Sequence, residues 1–150
     1  MIAIDPGKNG GIASLSEGKI SLFEMPRSEK EAAELIMQLG IPAGRPCAIE
    51  RVTGWVGRYQ PSSRMFTFGW WTGGPIFAAH CAGMNVRLVM SHKWQRDLGL
   101  RKKEFEGDWK KELLRLAKIE ADRYEIDGKL SLKTCDALLL LMWRLRVERK

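Results

Sequence analysis

Three carboxylates stand at the ends of separate apolar segments. Asp5 ends the segment MIAID, Glu50 ends PCAIE, and Asp136 lies near the start of CDALLLLMW. Carboxylates that converge in a folded protein repel one another, and a hard cation such as Mg²⁺ or Mn²⁺ offsets this repulsion through oxygen ligands. A pair of such ions can activate water and stabilise the leaving oxygen of a phosphodiester. The three acids are therefore candidate ligands of a hydrolytic metal site.

Each acid also has a plainer interpretation. Asp5 precedes a Pro-Gly dipeptide and is typical of a residue that caps a turn. Glu50 can form a surface ion pair with Arg51, its neighbour in the sequence. Asp136 can face solvent near a helix N-terminus, where acidic residues are favourable. The placement of all three acids at a strand end or a helix start favours a shared site.

The positions of these acids depend on an α/β order of elements. Apolar runs bounded by turn residues predict five strands, at 1–5, 11–15, 19–25, 46–50 and 85–90. Helical spacing predicts helices at 28–39, 62–83, 108–123 and 131–146 and a single turn at 94–98, with Asp108 and Ser131 as N-caps. We expect a mixed sheet of five strands flanked by helices, in which the first and fourth strands are neighbours. Such a sheet brings the three acids to one edge.

The length and composition are those of a globular domain. The chain has 150 residues, of which 45% are hydrophobic and 29% charged, so it can bury a core without disulfides. We predict a single domain over residues 1–150. The apolar run at 137–143 is too short to cross a bilayer, and Met1 leads directly into the first strand. We therefore expect no membrane partner and a cytoplasmic or nucleoid-associated location, with a phage-infected cell or an organelle matrix as alternatives.

Three cysteines, Cys47, Cys81 and Cys135, lie far apart in apolar surroundings. Their number is odd, and their spacing does not match that of a zinc site. We expect three buried free thiols in a reducing compartment.

The net charge of the chain is +7, and its positive residues are clustered. One cluster follows Glu50, a second leads into the helix predicted at 108–123, and a third lies at the C-terminus. Such clusters are typical of a surface that binds the phosphates of a nucleic acid, although a solvated surface has the same composition. The candidate phosphate contacts are Arg58, Arg64, Lys102, Lys103, Lys110 and Lys111.

Four segments resemble the RuvC-type Holliday-junction resolvases of the RNase H-like superfamily, including the forms found in phages and plant organelles. They are IAIDPGKNGGIA, CAIERV, GWWTGGPIFAAHCAGMNVRLVMSHKWQRDLGL and LSLKTCDALLLLMW. The resemblance covers nearly the whole chain, and the order and spacing of the segments favour resolvases. It implies an RNase H-like fold and a homodimeric endonuclease that makes paired nicks in a four-way DNA junction. The implied cofactor is Mg²⁺, with Mn²⁺ able to replace it, and the implied products carry a 5′-phosphate and a 3′-hydroxyl.

By this resemblance, Asp5, Glu50 and Asp136 are the metal ligands. The family's fourth active-site group, usually His or Asp, lies one helical turn before the last Asp, where this chain has Lys133. A protonated lysine cannot ligate a metal, so the site of a second ion departs from the family pattern. We predict that Lys133 acts in catalysis by neutralising the scissile phosphate; an exposed surface lysine is the alternative.

The resemblance also predicts where DNA and a second copy of the chain bind. Trp55, Arg58 and Tyr59 lie in the loop at 52–61, where related resolvases place a wedge between base pairs; a loop packed on the protein is the alternative. The small residues of the helix at 62–83 allow close packing, either in a two-fold dimer or within the monomer. We expect no small-molecule cofactor.

Two other functions stay open. The chain can be another RNase H-like nuclease, acting on flaps or RNA–DNA hybrids. It can also be a non-catalytic protein that binds branched DNA, for which the lysine at position 133 is an argument.

Overall fold

A six-stranded mixed sheet forms the centre of the protein. The computed structural model of the chain describes residues 1–52, 61–100, 102 and 105–148. The strands are β1 (Ile2–Asp5), β2 (Gly11–Ser16), β3 (Lys19–Glu24), β4 (Pro46–Arg51), β5 (Asn85–Met90) and β6 (Glu125–Asp127). Their order across the sheet is β5-β4-β1-β2-β3-β6. The first three strands pair antiparallel, whereas β4 runs parallel to β1, β5 to β4, and β6 to β3. The prediction that the first and fourth strands are neighbours is confirmed.

Helices cover both faces of this sheet. In the described part of the chain they are α1 (Glu29–Leu39), α2 (Ser62–Cys81), α3 (Ser91–Asp97), α4 (Trp109–Ala121) and α5 (Cys135–Glu148). α1 and α2 pack against each other on one face. α5 crosses β1, β2 and β4 on the other face, and α4 packs on α5. The layers are therefore helix, sheet and helix.

The alternation of side chains along β1 and β4 separates two hydrophobic cores. Ile2, Ile4 and Ile49 belong to the core beneath α1 and α2. Ala3 and Ala48 belong to the core beneath α5. Because successive strand residues point to opposite faces, the small alanines lie where the bulky leucines of α5 approach the sheet.

α5 is apolar on nearly all sides because it lies between the sheet and α4. Every residue from 137 to 143 is at most 3% exposed, as expected of a helix that is buried all round. None of the helices in the described ranges is long and apolar enough to cross a membrane.

The α/β fold class is confirmed, but several local predictions are wrong. The sheet has six strands and not five, because β6 is only three residues long and its single apolar residue, Ile126, is partly buried. The last helix begins at Cys135 and not at Ser131. Thr134 folds the preceding residues into a turn, since its hydroxyl accepts the Ser131 N–H and donates to the Lys129 carbonyl, each at 2.9 Å. The short helix α3 begins at residue 91, three positions before the predicted turn.

The thiols also differ from the prediction at one position. Cys47 and Cys135 are buried, but Cys81 is exposed. α2 packs inward through Ala78 and Ala79, so that Cys81 lies on its outer side at the end of the helix.

Two glycines allow the hairpin between β1 and β2 to close beside Asp5. Gly11 is the cross-strand partner of Asp5. A Cβ atom on Gly10 would overlap the Asp5 carbonyl, and one on Gly11 would lie 2.8 Å from the Lys133 carbonyl oxygen. Glycine is required for both approaches. The hairpin consequently holds Asp5 close to the turn that precedes α5.

Candidate active site

β1 and β4 bring Asp5 and Glu50 to the same edge and the same face of the sheet. The two strands are parallel, and Ile4 is paired with Ile49. Asp5 and Glu50 are the next residues of their strands, and parallel neighbours end at the same edge. Ala3 and its partner Ala48 point toward α5. Because side chains alternate between the faces of a strand, Asp5 and Glu50, each two residues further along, point to the same face.

The first turn of α5 places Asp136 over this edge. α5 contacts both β1 and β4, and the Asp136 side chain is only 15% exposed. The partial positive charge at the helix N-terminus favours a carboxylate in this turn. The structure thus brings together the three acids that the sequence analysis selected.

Burial and mutual repulsion perturb the carboxylates of the two strands. Burial raises the pKa of Asp5 well above its usual range, and the charges of Asp136 and Glu50 raise it further. Burial likewise raises the pKa of Glu50 to about 7; the charge of Asp136 adds to this shift, while a hydrogen bond from Trp94 opposes it. Burial and the neighbouring charges therefore make Asp5 and Glu50 harder to ionise, which is the condition that a bound cation relieves.

Lys110 supplies a positive charge to this group of acids. Its Nζ lies 2.5 Å from Asp136 Oδ2. Asp108 fixes the start of α4 as its N-cap, since its carboxylate accepts the backbone N–H of Lys110 at 3.0 Å and that of Lys111 at 3.3 Å. Burial lowers the pKa of Lys110, but the charge and hydrogen bond of Asp136 outweigh it, so that the pKa is raised overall. Lys110 is consequently held as an ammonium group beside the acids.

The three acids fit a divalent cation in donor type, because hard cations select carboxylate oxygens. Their arrangement is not that of a closed metal site: among the residues described, no three His, Cys, Asp or Glu side chains are grouped so as to hold an ion. Asp136 is instead engaged by the Lys110 ammonium. Binding of a cation by all three acids thus requires Asp136 to exchange its lysine partner for the ion.

Trp94 makes the one direct hydrogen bond found to Glu50 in the described structure. Its indole N–H donates to Glu50 Oε2 at 2.9 Å, and the Trp94 side chain is fully buried. β5 is paired with β4 up to Met90, and α3 follows at once. This connection brings the Trp94 ring beside the end of β4.

The side chain of Lys133 interacts with Glu24, whereas that of Asp136 interacts with Lys110. Lys133 belongs to the turn that precedes α5, and its Nζ contacts Glu24 Oε2 at 2.6 Å. The Lys133 side chain is 45% exposed. Lys133 was expected on the same helix as Asp136. In the structure it precedes that helix and lies at the rim of the site.

A cleft of about 600 Å³ opens beside Asp5, between the β1–β2 turn and the start of α2. Lys8 and Arg64 line it from opposite walls, and Phe68 and Trp71 provide its apolar surface. The cleft therefore brings the positive charges of Lys8 and Arg64 close to the edge of the sheet where the acids meet. Of the predicted phosphate contacts, Arg64 is thus adjacent to the site.

Of the other predicted DNA contacts, Lys110 lies within the site beside Asp136. Lys102 and Lys111 are exposed, and Lys111 Nζ lies 3.9 Å from Asp108 Oδ2. Lys103 and the predicted wedge residues Trp55, Arg58 and Tyr59 fall outside the described residues.

Two residues of this region were not predicted from the sequence. Lys8 comes shortly after Asp5, in the turn PGKNG, so the sequence itself indicates that it lies near this acid. Trp94 is 44 positions from Glu50, and no local pattern links the two residues.

The sheet order, the crossing of α5 and the edge where the acids meet define an α/β protein of RNase H-like fold. No protein-family model and no curated protein sequence matches the chain. Two solved structures share its fold over nearly the whole length. The structure of Thermus thermophilus RuvC is 16% identical with a TM-score of 0.55, and the match covers 99% of this chain and 97% of that one. The structure of T. thermophilus RuvC in complex with a Holliday junction substrate gives the same identity and TM-score, covering 99% and 96%. The chain therefore has a RuvC-like fold.

Proposed function

We propose that this protein is a divalent-metal-dependent endodeoxyribonuclease that resolves four-way DNA junctions. The observation that carries the proposal is the meeting of Asp5, Glu50 and Asp136 from two strands and a helix, where the charge of Asp136 raises the pKa of both other acids. The RuvC-like fold supports junctions as the substrate, because one of the similar structures is a complex with a Holliday junction substrate.

Asp5, Glu50 and Asp136 are the residues that would hold Mg²⁺ or Mn²⁺. When bound, such an ion activates water and stabilises the leaving oxygen of a phosphodiester. The protein contributes an edge on which burial makes the free carboxylates costly to ionise. A bound cation would offset this cost by neutralising the carboxylates.

Two lysines are proposed to act on the phosphate. If Asp136 held a cation, the Lys110 ammonium group would be available to neutralise the negative charge that develops at the scissile phosphate. Lys133 forms an exposed ion pair with Glu24. An exposed pair of this kind contributes little to stability, so a phosphate can replace Glu24 as its partner at little cost.

The cleft beside Asp5 gives the backbone of the DNA a path to the acids. Lys8 and Arg64 line it, and positive side chains attract phosphates without regard to sequence. Lys102, Lys103 and Lys111 are proposed as further backbone contacts. The loop that holds Trp55, Arg58 and Tyr59 is proposed to supply the wedge at the junction centre.

A second copy of the chain is proposed to pack on the outer face of α2. Phe66, Trp70 and Phe77 are 71%, 57% and 72% exposed on this face, whereas Trp71 is buried. The three exposed rings border a groove floored by Gly73 and Gly74. Large apolar groups concentrated on one face mark an interaction site, and two copies supply the two active sites that paired nicks require.

One observation favours a second function. The ion pair between Lys110 and Asp136 neutralises one acid, and the acids in the described ranges are not gathered into a metal site. A protein that binds branched DNA without cutting it would have no need to exchange this pair. A nuclease that acts on flaps or RNA–DNA hybrids has the same acids and differs in substrate alone. In either case the proposed location is the cytoplasm or the nucleoid, or the matrix of an organelle.

A panel of labelled substrates separates these functions. The protein is incubated with a four-way junction, a flap and an RNA–DNA hybrid, each with Mg²⁺ or with EDTA. A resolvase cuts the junction in preference to the flap and the hybrid, and only with Mg²⁺. Preferred cleavage of the flap or hybrid identifies the other nuclease, and tight junction binding without cleavage in Mg²⁺ or Mn²⁺ identifies the DNA-binding protein.

A further inference from the structure

The indole of Trp94 is committed to a single carboxylate. Its N–H donates to Glu50 Oε2 at 2.9 Å, and the side chain is 0% exposed. A buried indole N–H requires an acceptor, and a buried carboxylate requires donors. The hydrogen bond therefore satisfies both groups at once and ties α3 to the end of β4.

A second hydrogen bond of the same kind fixes α3 from the opposite side. The indole N–H of Trp143, in α5, donates to Asp97 Oδ2 at 3.0 Å, and Trp143 is 1% exposed. α3 is thus held between β4, which carries Glu50, and α5, which carries Asp136. A helix of seven residues gains a fixed position from these two contacts.

The consequence for Glu50 is a restricted side chain. A glutamate has three rotatable side-chain bonds and samples many conformations unless its carboxylate is held. Partners of this kind orient metal-binding carboxylates in proteins, and their removal weakens metal binding by about 10- to 100-fold. The rigid indole on α3 leaves Glu50 little freedom to turn away from Asp5 and Asp136.

We infer that Trp94 is a positioning residue, which holds the Glu50 carboxylate in the orientation that binds a divalent cation together with Asp5 and Asp136. The inference rests on the proposed function, because it assigns Glu50 as a ligand. Trp94 acts through Glu50 and contacts neither the ion nor the DNA.

The test is the affinity for Mn²⁺ in the absence of DNA, measured by isothermal titration calorimetry. Trp94→Phe keeps an aromatic ring in the core and removes the N–H donor. We expect Mn²⁺ to bind this variant about 10-fold more weakly than the wild type. In a Glu50→Gln background the same substitution produces no further loss, because the ligand that Trp94 orients is already gone.

Trp143→Phe is the matched control. It also removes a buried indole donor that holds α3, here one on α5, but its acceptor is Asp97 and not a candidate ligand. We expect thermal stability to fall by similar amounts in the two variants, while the Mn²⁺ affinity of Trp143→Phe stays within twofold of the wild type. Equal losses of affinity in both variants, or an affinity of Trp94→Phe within twofold of the wild type, overturn the inference. If the wild type itself binds no Mn²⁺, the proposed function fails first.

A measurement on the unmodified protein covers the case in which Trp94→Phe does not fold. In a protein labelled with ¹⁵N, the indole N–H resonance of Trp94 is followed during titration with Mg²⁺. We expect it to shift and to saturate together with the backbone amide of Asp5. An unchanged Trp94 indole resonance, while the Asp5 amide responds, contradicts the inference.

Discussion

Lys110 and Asp136 form an ion pair with 2.5 Å between Nζ and Oδ2, at the point where Asp5 and Glu50 approach from the sheet. The ammonium group is half-buried, and its charge lowers the pKa of both strand acids. Lys110 thus acts as the counter-ion of these acids in the metal-free protein. This relationship connects the stability of the metal-free protein to its affinity for metal.

Replacing the charge of Lys110 tests this connection. In Lys110→Met the acids lose their counter-ion, so we expect the metal-free protein in EDTA to be less stable by about 1–2 kcal/mol, since the lost pair is only partly buried. Mg²⁺ then raises the melting temperature of the variant by more than that of the wild type, because no lysine competes for Asp136. Differential scanning fluorimetry with and without Mg²⁺ measures both effects. Lys111→Met, which alters an exposed neighbour, leaves both values at those of the wild type; a Lys110→Met protein with an unchanged response to Mg²⁺ refutes the counter-ion role.

The raised pKa of Glu50 predicts how stability depends on pH. In the unfolded chain Glu50 ionises near its ordinary value of 4.5, whereas burial holds its pKa near 7 in the folded protein. Between these values the folded state retains a proton that the unfolded state has released, so stability falls as pH rises from 4.5 to 7 and then levels off. Asp5 contributes with the same sign.

Glu50→Gln removes this contribution. At pH 8 in EDTA we expect the variant to be more stable than the wild type by about 3 kcal/mol, since the pKa of Glu50 rises from 4.5 to about 7 on folding and each pKa unit corresponds to about 1.4 kcal/mol. Near pH 4.5 the two proteins have similar stability. Urea unfolding at a series of pH values checks both statements, and a difference that does not change with pH argues against the raised pKa.

The exposed rings of α2 predict the oligomeric state. Trp70→Ser with Phe77→Ser removes two large apolar contacts from the proposed interface, and each loss of such a contact weakens association by about 2 kcal/mol or more. We expect the wild type to sediment as a dimer and the double variant as a monomer. Ile119→Ser changes an exposed apolar residue on α4 and leaves the dimer intact. A wild type that sediments as a monomer at micromolar concentration contradicts the proposed dimer.

Much of the site follows from the sequence because strands impose a simple geometry. The apolar runs that end in Asp5 and Glu50 predict that β1 and β4 are neighbours with the two acids at one edge, and the structure confirms that the strands pair. The strand β6 is too short to contain an apolar run, so the sequence did not predict it. The turn before α5 depends on the side chain of Thr134, and a sequence that is also compatible with a helix does not reveal it.

The contacts between elements that are distant in the sequence could not be predicted from it. Lys110 is 26 positions from Asp136, and Trp94 is 44 positions from Glu50. Both contacts arise from the way in which α3 and α4 pack around α5. Lys110 was expected to contact a phosphate, and its pairing with a carboxylate was found only in the folded structure.

The central claim is that the three acids cut paired strands of a four-way junction with the help of a divalent metal. The most direct measurement uses a supercoiled plasmid with an extruded cruciform, incubated with the protein and Mg²⁺. Paired nicks across the cruciform produce linear DNA, whereas single nicks produce open circles. We predict linear product that requires Mg²⁺, is lost by at least 100-fold in Asp5→Asn, and is retained in Asp127→Asn, which alters an exposed acid on β6. Intact plasmid in every metal, or linear product that Asp5→Asn forms as fast as the wild type, would contradict the claim.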